Sequence, residues 1–498
     1  MSKYTLGDIT VHRWNDWDRV PRATFVGNAI VSALGQTALV GTFGATLLGA
    51  IIITPIVAWA VNALMPKPDM STTGGLLANT RDAAAPQELV YGTVRKGGTI
   101  TYMESTGDTN KFLHMFICLA GHEVNAIGDI YINDVNVSSS NDYNSSTYLV
   151  GGDWSDKIYI RKFLGAANQN IYSDLSGMSD GPSWQVDGSA PSNNEHTNFK
   201  GEGIACLYVR LEYDKDVFAE GIPLFTAVVQ GKKVLDPRNS NTAFSANAAL
   251  CIQDYLSEKY GLDNTAYINS TSFSAAANTC DENVNLSGSG TEKRYEINGV
   301  IDLSRTPRDI LSDMMTACAG TLFWGQGAWH LKVGEFTSSV KTFTLDDLRS
   351  EINLDTKASA RDNFNIVRGM FNDASQDYLL LDYPERRSTT FIAEDAGLEN
   401  ALDFPLPLTT SHRAAQRLAK MTLFKSREQM VVSADFSLEA LEVECGDTIA
   451  LTVDRYGWSA KEFEVISWKL YNGQDAGDLK VHLMLKEVSS AVYSWSAE

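Results

Sequence analysis

Apolar and polar residues alternate along most of this chain, but not near its start. Charges stop at Arg22 and return at Lys67, so residues 23 to 66 form one uncharged block. Within it ALVGTFGATLLGAIIITPIVAWAVNAL, residues 38–64, has the apolar density of a membrane-embedded segment. The block holds two short helices or one long one. Gly41, Ala45 and Gly49 put small residues four apart, a spacing that lets helices approach closely. Pro55 kinks or breaks a helix there. Residues 66 to 90, with Pro66, Pro68, Pro86 and a Gly pair, read as an extended linker.

From Val90 the period changes to that of strands. LVYGTVRKGGTITYMEST alternates around Gly97-Gly98, and KFLHMFICLAGHEVNAIGDIYINDVNV supplies two or three more strands ending at Asn133-Asp134. Residues 138 to 200 turn rich in Ser, Asn, Asp and Gly and read as an insertion or long surface excursion. Strands return in GIACLYVRLEYD and LFTAVVQGKKVLDPR. NTAFSANAALCIQDYLSEKYGL then takes helical spacing and stops at Gly261. In SRTPRDILSDMMTACAG, Thr306 is the N-cap, Pro307 the first helical residue and Asp309 the third. Ile310, Leu311, Met314, Met315 and Cys318 form its apolar face, and Gly320 ends it. TLFWGQGAWHLKV follows as a hairpin turning at Gly325-Gln326-Gly327. A later helix is capped by Ser411, with Ala414, Ala415, Leu418 and Met421 or Thr422 inward. Three strand signals close the pattern: CGDTIALTV from a turn at Gly446-Asp447, KEFEVISWKLY, and DLKVHLMLKEV with Leu479, Val481, Leu483 and Leu485 on one face. A small barrel or sandwich is expected from them.

The pattern gives a multidomain, strand-rich α+β protein with an N-terminal apolar helical segment. The expected parts are an N-terminal segment 1–24, the apolar helical segment 25–66, a linker 67–89 and a first domain 90–238 with its insertion at 138–200. An α+β domain 239–355 follows, with helices 247–257 and 307–319 and hairpin 321–333. The last domain, 356–498, holds helix 411–425 and a β-barrel at 443–488.

Composition narrows the function classes. A chain of 498 residues divides into several cores, and a net charge of −20 opposes non-specific nucleic-acid binding, which needs surplus Lys and Arg to replace phosphate counterions. The same charge lets nucleic acid pass without adhering. The six cysteines, Cys118, Cys206, Cys251, Cys280, Cys318 and Cys445, lie far apart with no C-x-x-C, which disfavours a disulfide framework or zinc site. Buried free thiols made in a reducing cytoplasm are expected. The apolar block far exceeds the core of a signal peptide, so secretion by that route is not expected.

Chemistry-bearing motifs are few. GTVRKGGT from Gly92 has the gap of a phosphate-binding loop but lacks the Lys-Ser/Thr after the second Gly. His122 and Glu123 are adjacent and point to opposite faces of a strand, while His330 and His482 sit at alternating polar positions, expected exposed or at an edge. The 61 carboxylates could place a glycosidase pair anywhere, and spacing alone selects none. TLFWGQGAWH reads as cross-strand packing rather than a sugar platform. No catalytic, cofactor-binding or metal-ligating residue is assigned.

The order of landmarks resembles a known family. Tyr91-Gly92, Arg95-Lys96 and Gly97-Gly98 after a polar linker are similar to the opening of the J-type tip attachment proteins, the central tail hub of long-tailed phages. Gly221 to Pro223, Gly231 to Val234 and the run Asp236, Pro237 and Arg238 resemble a later landmark. NAALCIQDYLSEKYGL, TPRDILSDMMTACAGTLFWGQGAWHLKVG and HRAAQRLAKMTL before VECGDTIALT complete the series, over about residues 67 to 490.

The resemblance implies tail-hub barrel or sandwich domains in a homotrimer that closes the tail tube at the virion's tail tip. It implies distal tail and other tip proteins as neighbours, the tape measure protein within, and passage of DNA at ejection after assembly in the host cytoplasm. Longer relatives continue into receptor-contacting segments absent here, so a separate fibre or spike is expected to bind the receptor. In such a trimer, residues 25–64 are expected to lie buried on the axis through Gly41, Ala45 and Gly49, and to contact a host membrane on release. A bilayer span and disorder in the free particle are the alternatives for that block. For the whole chain the rivals are a tail-associated cell-wall hydrolase and a membrane-anchored host protein.

The loop Gly92 to Thr99 should bind no nucleotide. Titration with ATP and GTP should show no micromolar binding; saturable binding lost on Gly97→Val would contradict the reading.

Overall fold

The computed structural model describes residues 4–6, 9–11 and 77–495, without 83–84, 140–141, 176–177, 179–180, 183–199, 260–266, 288, 358–362 and 473–478. The apolar block, with Gly41, Ala45 and Gly49, lies outside the described residues, as does the first part of the expected linker. Tyr4–Leu6 and Ile9–Val11 pair antiparallel.

The linker's end is not free chain. Thr80 N donates to Gly98 O at 3.2 Å and Ile100 N to Thr80 O at 2.7 Å. Asn79 exchanges two 2.8 Å bonds with the backbone of Phe225. The first strand after the linker, β1, is Glu88–Tyr91. It is followed by β2 (Thr93–Lys96), β3 (Thr99–Thr106), β4 (Phe112–Ala120), β5 (Ala126–Ile132) and β6 (Val135–Asn136). Next come β7 (Leu149–Val150), β8 (Ile158–Phe163), β9 (Ala205–Glu212) and β10 (Phe225–Gln230). One sheet runs β3-β4-β9-β8-β7 and the second β2-β10-β5-β6. Their inner faces, from Met115, Ile117, Leu207 and Val209 to Ile130, Ile132, Ala227 and Val229, close one core. This is a β-sandwich.

Two strands of this sandwich, β7 and β8, fall within the expected insertion. KIYIRKF is a regular alternating run, and Ile158 and Ile160 are fully buried. The Ser/Asn/Gly-rich sequence on both sides hides it. Helix Ile171–Leu175, also within the insertion, covers the outer face through Phe116, Phe163 and Tyr208.

The middle of the chain is helical. Hairpin β11 (Lys233–Asp236) and β12 (Asn241–Phe244) precedes α1 (Ala248–Lys259) and α2 (Ser270–Cys280). Helix α2 was not expected, because STSFSAAANTC is rich in residues that compete for backbone hydrogen bonds. Asn269 caps it, accepting from Ser272 N at 2.9 Å. Strand β13 (Gly299–Asp302) pairs with β1. Helix α3 (Pro307–Cys318) starts as expected, Thr306 accepting from Asp309 N, and the hairpin β14 (Thr321–Gly325) and β15 (Ala328–Lys332) follows. Helix α4 (His412–Lys425) packs Ala415, Leu418 and Met421 into the same core as α1 to α3. Thus α4, although placed by sequence in the last domain, belongs to the middle core.

The barrel begins before the expected boundary. Strands β16 (Lys341–Phe343), β17 (Asn353–Asp355), β18 (Val431–Phe436), β19 (Thr448–Val453), β20 (Trp458–Asn472) and β21 (Leu479–Glu487) form one sheet. Its order is β16-β19-β20-β21-β18-β17. The sheet coils round a core of Phe343, Phe436, Ile449, Phe463 and Leu483. Val481, Leu483 and Leu485 face inward as expected, but Leu479 is 44% exposed. At that end β20 and β21 pair only with each other, Asn472 opposite Leu479, and outrun the barrel.

Gly446 has φ +77, and a Cβ there would meet Lys332 Cδ at 2.7 Å. Asp447 accepts from Glu444 N at 2.8 Å and from Lys332 Nζ at 2.5 Å, closing the turn before β19. Gly446→Val should lower stability by about 1–3 kcal/mol, read as a lower thermal midpoint. An unchanged midpoint would show that the turn does not need glycine.

Candidate functional site

Six sequence landmarks, Tyr91 to Gly98, converge on a junction where the sandwich, the helical core and the C-terminal half meet. Strand β1 belongs to the β13 ladder, while β2, one residue on, belongs to the sandwich. Gly92 makes that break with φ +61, and a Cβ there would lie 2.2 Å from both Ile297 O and Asn298 Oδ1. Only glycine fits so close a crossing at that φ. Asn298 is the hinge pin: its side-chain oxygen accepts from Thr93 N at 2.8 Å, and its N–H donates to Leu408 O at 2.9 Å.

The side chains around this crossing are buried and mutually bonded. The Tyr91 hydroxyl, fully buried, donates to Asp254 Oδ2 of α1 at 2.6 Å. Lys232 Nζ donates to both oxygens of the same carboxylate at 3.0 and 2.8 Å. Arg95 is 1% exposed. Its guanidinium lies 3.9 Å above the Tyr131 ring, donates from Nε to Thr226 Oγ1 at 2.8 Å and pairs with Asp134. It also reaches Asp377 O at 3.4 Å, far along the chain. Lys96, equally buried, pairs with Glu88. Burial pushes its ammonium below the ordinary lysine range despite that partner. The loop's lysine is therefore engaged by a carboxylate and does not face a phosphate.

Gly97 and Gly98 mark the corner where the chain passes from one sheet to the other. A Cβ on Gly97 would stand 2.2 Å from Ala78 O, and one on Gly98 2.3 Å from Cys118 O. Away from the junction, Asp236 opens the turn of β11–β12 with Pro237 next. It binds Arg238 through Nε and Nη2 at 2.8–3.1 Å, and Arg238 pairs with Asp281 at 2.8 Å. The Arg238 bonds hold the Asp236 carboxyl below its usual range. Gly446 and Asp447 lie where the β14–β15 hairpin touches the barrel, joined through Lys332. His330, expected exposed, is 5% exposed beside them, stacked 5.2 Å from Phe323. The barrel covers that side of the hairpin, which strand alternation alone does not reveal.

Reactive chemistry is sparse. His482 Nδ1 lies 2.8 Å from Asp435 Oδ1, and Nε2 lies 3.2 Å from Ser433 Oγ. The two contacts imitate a hydrolytic triad. However, Ser433 sits in mid-strand, paired with Asn353 on one side and Met484 on the other, so its backbone serves the sheet ladder instead of an oxyanion. Cys206, Cys251, Cys280 and Cys318 are buried free thiols, while Cys118 and Cys445 are half-buried. Burial raises the Cys251 and Cys280 thiols far above the reactive range. Among the described residues no group of three metal-ligating side chains occurs, and no helix is long and apolar enough to cross a membrane.

A family described as "Putative phage tail protein" matches residues 306–466. The chain is 22% identical over 363 residues to "Baseplate hub protein pb3" of Escherichia phage T5, a match covering 68% of this chain and 38% of that protein. It thus spans about two fifths of that relative's length. In fold it is similar to a chain of the virion of a native gene transfer agent particle, with a TM-score of 0.58 at 14% identity. That likeness covers 96% of this chain and 98% of the other. A tail protein of Neisseria meningitidis MC58 aligns at a TM-score of 0.34, too low to carry an argument. This chain is thus similar in sequence to a phage tail protein family and a phage baseplate hub protein, and in fold to a chain of a gene transfer agent virion.

Proposed function

We propose that this protein is the central hub of a virion tail, of the J-type tip attachment kind. The likeness to a baseplate hub protein carries the reading, because it extends over 363 residues and 68% of this chain. The junction suits the role: its polar groups bond one another and tie successive domains, leaving none set to bind a small substrate.

Three copies would close the tail tube, with distal tail and other tip proteins above and the tape measure protein within. A net charge of −20 suits a bore that DNA traverses, since carboxylates repel phosphates. Receptor binding falls to a separate fibre or spike. Residues 25–64 are assigned to the axis, where three copies hide an apolar stretch far beyond what a free surface tolerates. On opening, the segment is released toward a host membrane.

Light scattering after size-exclusion chromatography of the full chain should give three times the chain mass. A monomer or dimer across the micromolar range would overturn the trimeric closure. Removing residues 25–64 should leave that trimer intact while DNA delivery falls at least tenfold. Fully infectious particles carrying the deletion would refute the axial role.

A further inference from the structure

The hairpin of Met370–Asp373 and Leu379–Asp382 leaves the C-terminal half and reaches the sandwich with its tip. At its base it is fixed. Phe371 bridges to Leu406, and Asn372 Nδ2 donates to Pro407 O at 3.1 Å. Its tip is held differently. Asp377 Oδ1 accepts from the Tyr131 hydroxyl at 2.8 Å, its carbonyl receives Arg95, and Tyr378 packs on the margin of the sandwich core. Asp377 and Tyr378 both take positive φ, at 54 and 61, so the tip is bent to make these contacts.

We propose that this hairpin is a releasable strap, tying the sandwich to the C-terminal half and opening as a unit while both remain folded. Three features make the opening local. The contacts on the sandwich side survive without the tip, because Arg95 keeps Thr226, Asp134 and the Tyr131 ring. The groups that part, the Tyr131 hydroxyl and the Asp377 carboxylate, return to water, and Asp377 is already exposed. One half-buried aromatic ring, Tyr378, supplies the apolar part of the contact. Such a low-barrier segment is the kind that opens below global unfolding. The strap stands on this geometry alone and is independent of the hub reading.

Hydrogen exchange on the full chain tests it. In the native protein, amides of 370–382 should exchange at least tenfold faster than those of β9 and β18. Tyr131→Phe and Tyr378→Ala should speed exchange in 370–382 about tenfold further, leaving β9 and β18 unchanged. A uniform rise through the sandwich, or no change at the hairpin, would overturn the strap. Failure of Tyr378→Ala to fold would overturn it too, since a releasable tip is not required by the units it joins.

Discussion

At residue 92 the chain leaves one ladder and enters another within a single peptide, directly against the Ile297 carbonyl and the Asn298 side chain. A side chain larger than hydrogen would collide there at 2.2 Å, and the positive φ penalises any Cβ besides. The crossing fixes where the sandwich stands relative to the helical core. It also lets Asn298 serve two partners, Thr93 and Leu408, from one position. Remove that close approach, and the Tyr91–Asp254–Lys232 network loses the geometry that makes its burial tolerable. Buried polar groups stabilise only when all are satisfied, so this junction is rigid or it fails.

Local structure was legible wherever a local cause set it. The α3 start, from Thr306 through Pro307 to Asp309, is capping chemistry contained in four residues, and the structure repeats it. The Gly97-Gly98 turn was visible as a turn, but its reason was not. The glycines are needed for the approach of Ala78 and Cys118, one before and one after in the chain. Strand β8 was hidden by the polarity of its flanks, and α2 by a composition that favours loops until Asn269 caps it. Membership of a core is a long-range fact. Nothing near α4 says that its apolar face meets α1 and α3 instead of the barrel that follows it. Buried Arg95 and Arg417 were equally illegible, because their partners, Asp134 with Thr226 and Glu292, lie elsewhere in the sequence.

The same contrast separates chemistry from architecture. Ser433, His482 and Asp435 come within hydrogen-bonding distance because β18 and β21 are paired, and side chains at alternate positions of neighbouring strands must meet. Adjacency of this kind arises in any sheet. Catalysis demands more: a donor aimed at developing charge, in a site that excludes water. Here the outer barrel face is solvated and the backbone donors are spent on the ladder. The buried thiols make the parallel case, each kept neutral by the apolar core round it.

Two kinds of contact therefore hold the described chain together, and they differ in how they respond to load. The β1–β13 ladder and the crossing at Gly92 join domains through backbone, with no water-accessible intermediate, so they part only when a domain unfolds. The 370–382 hairpin and the Lys332–Asp447 bridge join domains through side chains that water can replace. A molecule built with one inflexible joint and several exchangeable ones moves about the first by releasing the second. The direction of that motion is set by position: the exchangeable contacts lie between the sandwich and the C-terminal half and between hairpin and barrel. The rigid joint lies between sandwich and helical core. Rearrangement thus frees the hairpin tip from the sandwich, while Phe371, Leu406 and α4 stay in one core with α1 to α3.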